Sequence, residues 1–198
     1  MKDCALVAVD LLYDFIDGTM ACQHAEEAVA ATLRFIEEKT AGPSDEEVIR
    51  GAFPVLFVRD FHPADHSSFT EAGGPWPPHC VQGTRGAEIH EALAPYADEA
   101  LTFYKGHVRE TEQYSGFEAI NEAGQSLHDV LDIMDIKTVF VCGIATEYCV
   151  RNTCEDLLKA GYKVILLQDA LAWVEEEGHK KALEALAAEG IRLQQTCA

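Results

Sequence analysis

Six short apolar runs, set apart by stretches of helical spacing, constrain this chain more than any other feature. The runs are CALVAVD (4–10), PVLFVRD (54–60), LTFYK (101–105), TVFVCG (138–143), KVILLQD (163–169) and IRLQQT (191–196). Their length and their apolar, partly β-branched content mark strands. Helical spacing appears in AEEAVAATLRFIEEK after the first run, SLHDVLDIM before the fourth, TEYCVRNTCEDLLKAG after it and EEEGHKKALEALAAEG before the last. Gly161 and Gly190 close the last two as C-caps. Strand and helix in alternation mean parallel pairing with helices on both faces, which is the α/β class in its three-layer α/β/α form. A length of 198 residues suits one compact domain, 1–198. The stretch 61–86, rich in Pro, Gly, His and Ser, breaks the alternation and reads as a long functional loop. TAGPSDEEVIRGAF (40–53) reads as a surface connection.

Charge and cysteine usage narrow the function classes. Thirty-four Asp and Glu against fifteen Lys and Arg give a net charge of -19. Such a surface repels phosphate backbones and anionic lipid, so neither nucleic acid nor membrane is an expected partner. The start, MKDCALVAVD, carries too short an apolar stretch for a signal-peptide core or a spanning helix, and a cytoplasmic protein is expected. Seven cysteines without a C-x-x-C pair argue against a disulfide framework and a zinc ribbon. Composition admits a monomer or a homo-oligomer.

In open parallel sheets ligands bind beyond the carboxyl ends of the strands. Here the first strand ends at Asp10, the second at Asp60, the third at Lys105, and the fourth at Gly143 before a helix start bearing Cys149. Singly each has a plain account: Asp10 caps a helix, Lys105 is solvated, Cys149 is packing. Together, at the same edge of a sheet, they point to a site.

The metal question comes first. In Asp60-Phe61-His62 alternate side chains share a side, so a carboxylate and an imidazole issue from one element. His79, stiffened by Pro77 and Pro78, supplies a third ligand; His66 is the candidate fourth, with Glu71 as its rival. A mixed imidazole and carboxylate set suits one divalent transition metal, Zn²⁺ first and Fe²⁺ or Mn²⁺ after it, better than Ca²⁺ or Mg²⁺. Ordinary surface histidines would explain a lone D-x-H, but the rigid setting of His79 favours a metal.

The thiol follows. VFVCGIATEYCVRNT passes from strand into a helix whose start is marked by Thr146 as N-cap, with Cys149 in its first turn. There the positive helix end is expected to lower the thiol pKa, and backbone N–H groups can hold an oxyanion. Cys142 and Cys154 are expected in the core. Lys105 can stabilise a thiolate or an oxyanion, and Asp10 can take the thiol proton and return it to a leaving amine. A strand-end ion pair is the structural account of Asp10 and Lys105.

The order Asp10, Lys105, Cys149, with DFHPADHSSF, WPPHCVQGT, FYKG…YSGF and GIATEYCV, resembles the isochorismatase-like cysteine hydrolases and, within them, the nicotinamidases. The likeness runs from residue 5 to about 170. It implies a six-stranded, mostly parallel sheet flanked by helices, and hydrolysis of nicotinamide to nicotinate and ammonia, a step of pyridine nucleotide salvage. It implies Cys149 as thioester-forming nucleophile, Asp10 as proton shuttle and Lys105 as electrostatic partner. It implies a cis peptide between Ile144 and Ala145, an oxyanion hole from the N–H groups of Ala145 and Cys149, and a metal on Asp60, His62 and His79 that holds the pyridine nitrogen directly or through water. Phe15, Trp76 and Tyr114 match ring-sandwiching positions, with Tyr148 and Ile144 nearby; core packing is the competing account of each aromatic. Pyrazinamide-like analogues are implied as further substrates. Glu147 stands where Asp is more usual, and the acidic stretch HVRETEQ between Gly106 and Tyr114 departs from the pattern and leaves the register of Tyr114 open. Three other readings remain: another carboxamide or carbamoyl hydrolase of the same superfamily, a metal-activated-water hydrolase with a structural Cys149, and a non-enzymatic binding module.

Overall fold

The computed structural model describes residues 3–40 and 53–197, so most of the 40–53 connection lies outside the described residues. The elements are β1 (Cys4–Val9), α1 (Tyr13–Ile16), α2 (Ala25–Thr40), β2 (Val55–Asp60), β3 (Thr102–Lys105), α3 (Leu127–Ile133), β4 (Thr138–Gly143), α4 (Arg151–Lys159), β5 (Lys163–Leu171), α5 (Glu176–Ala188) and β6 (Arg192–Gln194). They form one six-stranded sheet in the order β3-β2-β1-β4-β5-β6. Every pairing is parallel, each reached through a crossover of a dozen or more residues, which between β2 and β3 is the long loop and not a helix.

Alternation along β1 shows how the two helical layers are held. Cys4, Leu6 and Ala8 pack with Ala28, Val29, Phe35 and Ile36 of α2. Ala5, Val7 and Val9 face the opposite side, with Leu127 and Leu131 of α3, Leu157 of α4 and Leu186 of α5. A strand buried on both faces reads as a continuous apolar run, which is why CALVAV carries no polar residue.

Helix ends follow local chemistry. Ser126 and Asp129 form a reciprocal capping box at the start of α3. After α4, Gly161 takes a φ of 94°, its N–H bonds Leu158 O and that of Tyr162 bonds Leu157 O, the paired bonds of a Schellman stop. Gly190 closes α5 in the same way through Leu186 and Ala187. β5 runs to Leu171, beyond the expected 163–169, and its register with β4 shifts between Val141 and Gly143. The extension carries the chain to the residues beside the site. Among the described residues no helix is long and apolar enough to cross a membrane.

Strand order reverses between β1 and β4: β2 and β3 lie to one side, β5 and β6 to the other. Asp10 follows β1 and the Cys149 turn follows β4, so both issue from the switch point, where neighbouring loops diverge and leave a crevice.

Candidate active site

Asp60 and Lys105 are register partners across β2 and β3, so their side chains leave the sheet on the same side. Lys105 Nζ donates to Asp60 Oδ1 and to Cys149 Sγ at 3.4 Å. It also lies 2.9 Å from Asp10 Oδ2. Asp10 Oδ1 accepts the Asp60 N–H at 2.8 Å. Asp10 itself sits at φ 51°, a left-handed conformation that a residue with a Cβ adopts at a cost and that clusters at functional sites. Asp10 and Lys105 are fully buried.

Burial dominates the protonation of this cluster. It pushes the Asp10 carboxyl up to about 6, helped by the charge of Asp60. For Asp60 burial acts in the same direction, but Lys105 and His62 outweigh it and hold the group below the usual carboxylate range. Burial works against the Lys105 charge, yet Asp10 and Asp60 raise its pKa well above the ordinary value. The Cys149 thiol is also raised, first by burial, with Lys105 acting against the shift. The lowered thiol pKa expected from a helix N-terminus is therefore corrected: at rest Cys149 is a thiol, because desolvation and two nearby carboxylates exceed the helix-end effect. A base must remove its proton at the moment of reaction.

The local backbone differs from expectation too. Thr146 is not the helix cap. Ala145 holds the extended cap position, and Thr146 Oγ1 donates to Ala172 O at 3.0 Å. The chain enters α4 through a π-helical turn, Thr146–Val150, in which the N–H groups of Tyr148 and Val150 both bond Ala145 O. Such turns recur at functional sites because they re-aim single side chains. The Ile144–Ala145 peptide is cis. Gly143 precedes it at φ 120°, and a Cβ there would lie 1.9 Å from Val9 O, so only glycine lets β4 pass β1 into this turn.

Asp60 joins the thiol cluster to a second group. His62 Nε2 is 3.6 Å from Asp60 Oδ1 and His79 Nε2 is 3.9 Å from Asp60 Oδ2. One ligand atom from each of the three lies within 4.8 Å of the others. Both imidazoles use Nδ1 on a backbone carbonyl: Gly106 O at 2.9 Å for His62 and Pro77 O at 2.8 Å for His79. With Nδ1 engaged by a carbonyl, Nε2 is the ring atom that faces the carboxylate, the orientation a metal-ligating histidine adopts. Burial keeps His79 neutral, with its pKa below the ordinary value. The donor set fits a divalent transition metal. Asp10, Asp60 and Cys149 are also mutually close, but Lys105 Nζ stands among them, and an ammonium there leaves no place for a second cation.

The His66 ring lies beside that of His62, 4.3 Å between centroids, but His66 and Glu71 are outside the set whose ligand atoms lie within 4.8 Å of one another. His66 is buried, with Nδ1 at 2.6 Å from Ser68 Oγ and Nε2 at 3.2 Å from Thr111 O; both ring nitrogens serve loop structure. Glu71 is exposed on a short turn, Thr70–Ala72. Gly106 supports His62 at close range. At φ 60°, a Cβ there would lie 2.3 Å from His62 Cε1. Gly106→Ala is expected to strain the loop by about 1–3 kcal/mol and to weaken divalent-metal binding roughly 10–100-fold by turning the imidazole. Zinc retained per chain after dialysis against a competing chelator, with thermal midpoints, checks this; unchanged zinc affinity would contradict it.

A narrow cavity opens onto both groups. Phe15, Trp76, Tyr114 and Tyr148 line it with Asp60, His79, Ala145 and Cys149. Trp76 Nε1 donates to Tyr114 OH at 3.1 Å, and Tyr148 meets the Trp76 ring edge-on at 5.3 Å. Ile144 is buried in the core cluster that includes α2 and is not among the residues lining the cavity. Met20, Cys22, Glu112 and Val174 also line it and were not anticipated. They come from loops remote in sequence, and no local periodicity marks them. Burial pushes Cys22 up to about 12 and Cys142 up to about 12, as it raises Cys149, but Cys22 donates to Met20 O and Cys142 accepts from Thr32, so neither has the ammonium partner that Cys149 has in Lys105.

An α/β fold with a buried cluster of thiol, ammonium and carboxylates at its switch point, next to imidazoles, is the class these observations define. The chain matches the isochorismatase domain over residues 4–196 and belongs to that family. The nicotinamidase/pyrazinamidase of Mycobacterium tuberculosis is 38% identical over 96% of this chain and 97% of its own. The nicotinamidase of Escherichia coli is 33% identical over 85% of this chain and 83% of its own. The crystal structure of the pyrazinamidase of Pyrococcus horikoshii in complex with zinc covers 98% of this chain and 99% of its own, with a TM-score of 0.83 at 36% identity.

Proposed function

We propose that this chain is a nicotinamidase-type amidase that hydrolyses nicotinamide to nicotinate and ammonia at Cys149, acting as a single domain. One observation carries the reading: Asp60 touches both Lys105, which holds Cys149, and the His62–His79 pair. Cys149 therefore opens on one narrow cavity with Asp60 and His79, bounded by the aromatic rings of Phe15, Trp76, Tyr114 and Tyr148. Relatives named for nicotinamide and pyrazinamide hydrolysis, at 38% and 36% identity, support the same substrate class.

An amide is a poor electrophile with a poor leaving group, so each residue has distinct work. Asp10, with a pKa near 6, is a carboxylate at neutral pH and takes the Cys149 proton as sulfur attacks the carbonyl carbon. The backbone N–H groups of Ala145 and Cys149 are suited to receive the oxyanion. Lys105 offsets the charge of Asp10 and Asp60 throughout. Collapse breaks the C–N bond, and the proton held on Asp10 goes to the departing ammonia. Water, deprotonated by Asp10, then cleaves the thioester, releasing nicotinate and restoring the thiol. Asp60, His62 and His79 would hold a divalent ion, Zn²⁺ before Fe²⁺ or Mn²⁺. Bound there, it supplies a Lewis-acid anchor for the pyridine nitrogen. Phe15, Trp76 and Tyr114 confine the ring between aromatic surfaces and exclude water. Holding the carbonyl carbon about 3–3.5 Å from sulfur removes several kcal/mol of orientational cost.

The test uses purified protein stripped with chelator and assayed for ammonia release from nicotinamide. Activity is expected to vanish on stripping and to return with added Zn²⁺, and to differ in extent with Mn²⁺ or Fe²⁺. Full activity in metal-free protein would overturn the anchoring role, and no ammonia release from the zinc-loaded protein would overturn the substrate.

A further inference from the structure

We propose that Glu147 is a positioning residue that sets the width of the substrate slot by clasping its Val174 wall to the turn that bears Cys149; the proposal builds on the nicotinamidase reading. Glu147 Oε1 accepts the Val174 N–H at 2.9 Å and the Glu175 N–H at 2.8 Å. One carboxylate oxygen thus joins segments 27 and 28 residues apart in sequence. Val174 lines the cavity, and so do Tyr148 and Cys149, the residues that follow Glu147 directly.

The far side of the wall is fixed as well. Gln23 Nε2 donates to Val174 O at 3.1 Å, and the Gln23 and Trp173 backbones exchange hydrogen bonds at 2.8 and 3.1 Å. Cys22, beside Gln23, is another lining residue. The carboxylate therefore closes a chain of contacts from the 20–23 loop through Val174 to the nucleophile turn. Its charge also meets the N-terminal end of α5, where a negative group is favoured.

Reach is what the clasp requires. Aspartate would withdraw the acceptor oxygen by about 1.5 Å, too far to keep both bonds unless the turn or the wall moves. The cavity has a volume of about 30 Å³, so a small displacement of Val174 changes what it admits. Glu147 has no contact with the reacting atoms in this scheme and acts through Val174 and Tyr148.

The test compares Glu147→Ala, Glu147→Asp and Glu147→Gln with wild type in two readouts. The first is the split between KM and kcat for nicotinamide in zinc-loaded protein. The second, independent of turnover, is the ratio of Cys149 labelling rates by bulky N-ethylmaleimide and small iodoacetamide, followed on the Cys149 peptide by mass spectrometry. Glu147→Ala and Glu147→Asp are expected to raise KM roughly tenfold, the equivalent of the hydrogen bonds lost, with kcat changed less, and to shift the labelling ratio toward the bulky reagent. Glu147→Gln keeps the acceptor oxygen and is expected to return both readouts toward wild type. Should Glu147→Ala not fold, the aspartate variant makes the same comparison. Wild-type KM and labelling ratio in the shortened variants, or a glutamine variant as defective as alanine, would overturn the proposal. A wild-type protein inactive on nicotinamide would remove the substrate reading while the labelling ratio still decides the clasp.

Discussion

Cys149→Ala is expected to lower nicotinamide turnover by on the order of 10⁴-fold or more, the scale on which enzymes lose rate when their nucleophile is removed, while zinc binding stays intact. The metal donors issue from the end of β2 and the following loop, whereas Cys149 issues from the turn after β4. Deleting a sulfur from that turn therefore leaves Asp60, His62 and His79 in place. The cavity left is small, since only one atom is lost, and the fold should persist with a modest stability cost. Nicotinate release by chromatography, alongside zinc content per chain, checks both halves. Substantial turnover in the alanine variant would end the thioester mechanism and move the account to metal-activated water.

Lys105→Met is expected to destabilise the fold by about 3–5 kcal/mol, because it leaves two buried carboxylates without their cation, and to silence turnover as well. Lys105 is fully buried and Asp60 nearly so, so water cannot replace the ammonium. The methionine fills much of the same volume, which separates the charge effect from cavity formation. Adding Asp10→Asn to Lys105→Met removes one orphaned charge and should restore part of the stability, a non-additivity that identifies the coupling. Urea unfolding of the single and double variants gives both numbers. A Lys105→Met variant as stable as wild type would show that the carboxylates are screened by some other group.

Legibility in the sequence divided along a physical line. Strands and helices could be read because each buries a regular face: CALVAV is apolar throughout since both faces of β1 are covered. Asp60, Lys105, Asp10 and Cys149 could be read because strand ends in a parallel sheet point at one edge, and register then brought Asp60 and Lys105 together. Asp60, His62 and His79 were legible as a donor set from their spacing and the rigid Pro77-Pro78 setting. What failed depended on tertiary surroundings. Thr146 looks like a cap in isolation, but Ala172, the residue after β5, presents its carbonyl to the Thr146 hydroxyl and the helix start widens into a π turn. The thiol pKa was misjudged because a helix terminus is visible in sequence and desolvation is not. Met20 with Cys22, Glu112 and Val174 reach the cavity from three loops, and only the folded chain puts them side by side.

The most direct measurement is a crystal structure of the zinc-loaded Cys149→Ala protein with nicotinamide bound. We expect the ion on Asp60, His62 and His79, the pyridine nitrogen turned toward it, and the carboxamide carbon beside position 149 between Asp10 and Lys105. Zinc bound elsewhere, or a ring whose carboxamide points away from position 149, would contradict the claim that one cavity joins the metal anchor to the thiol.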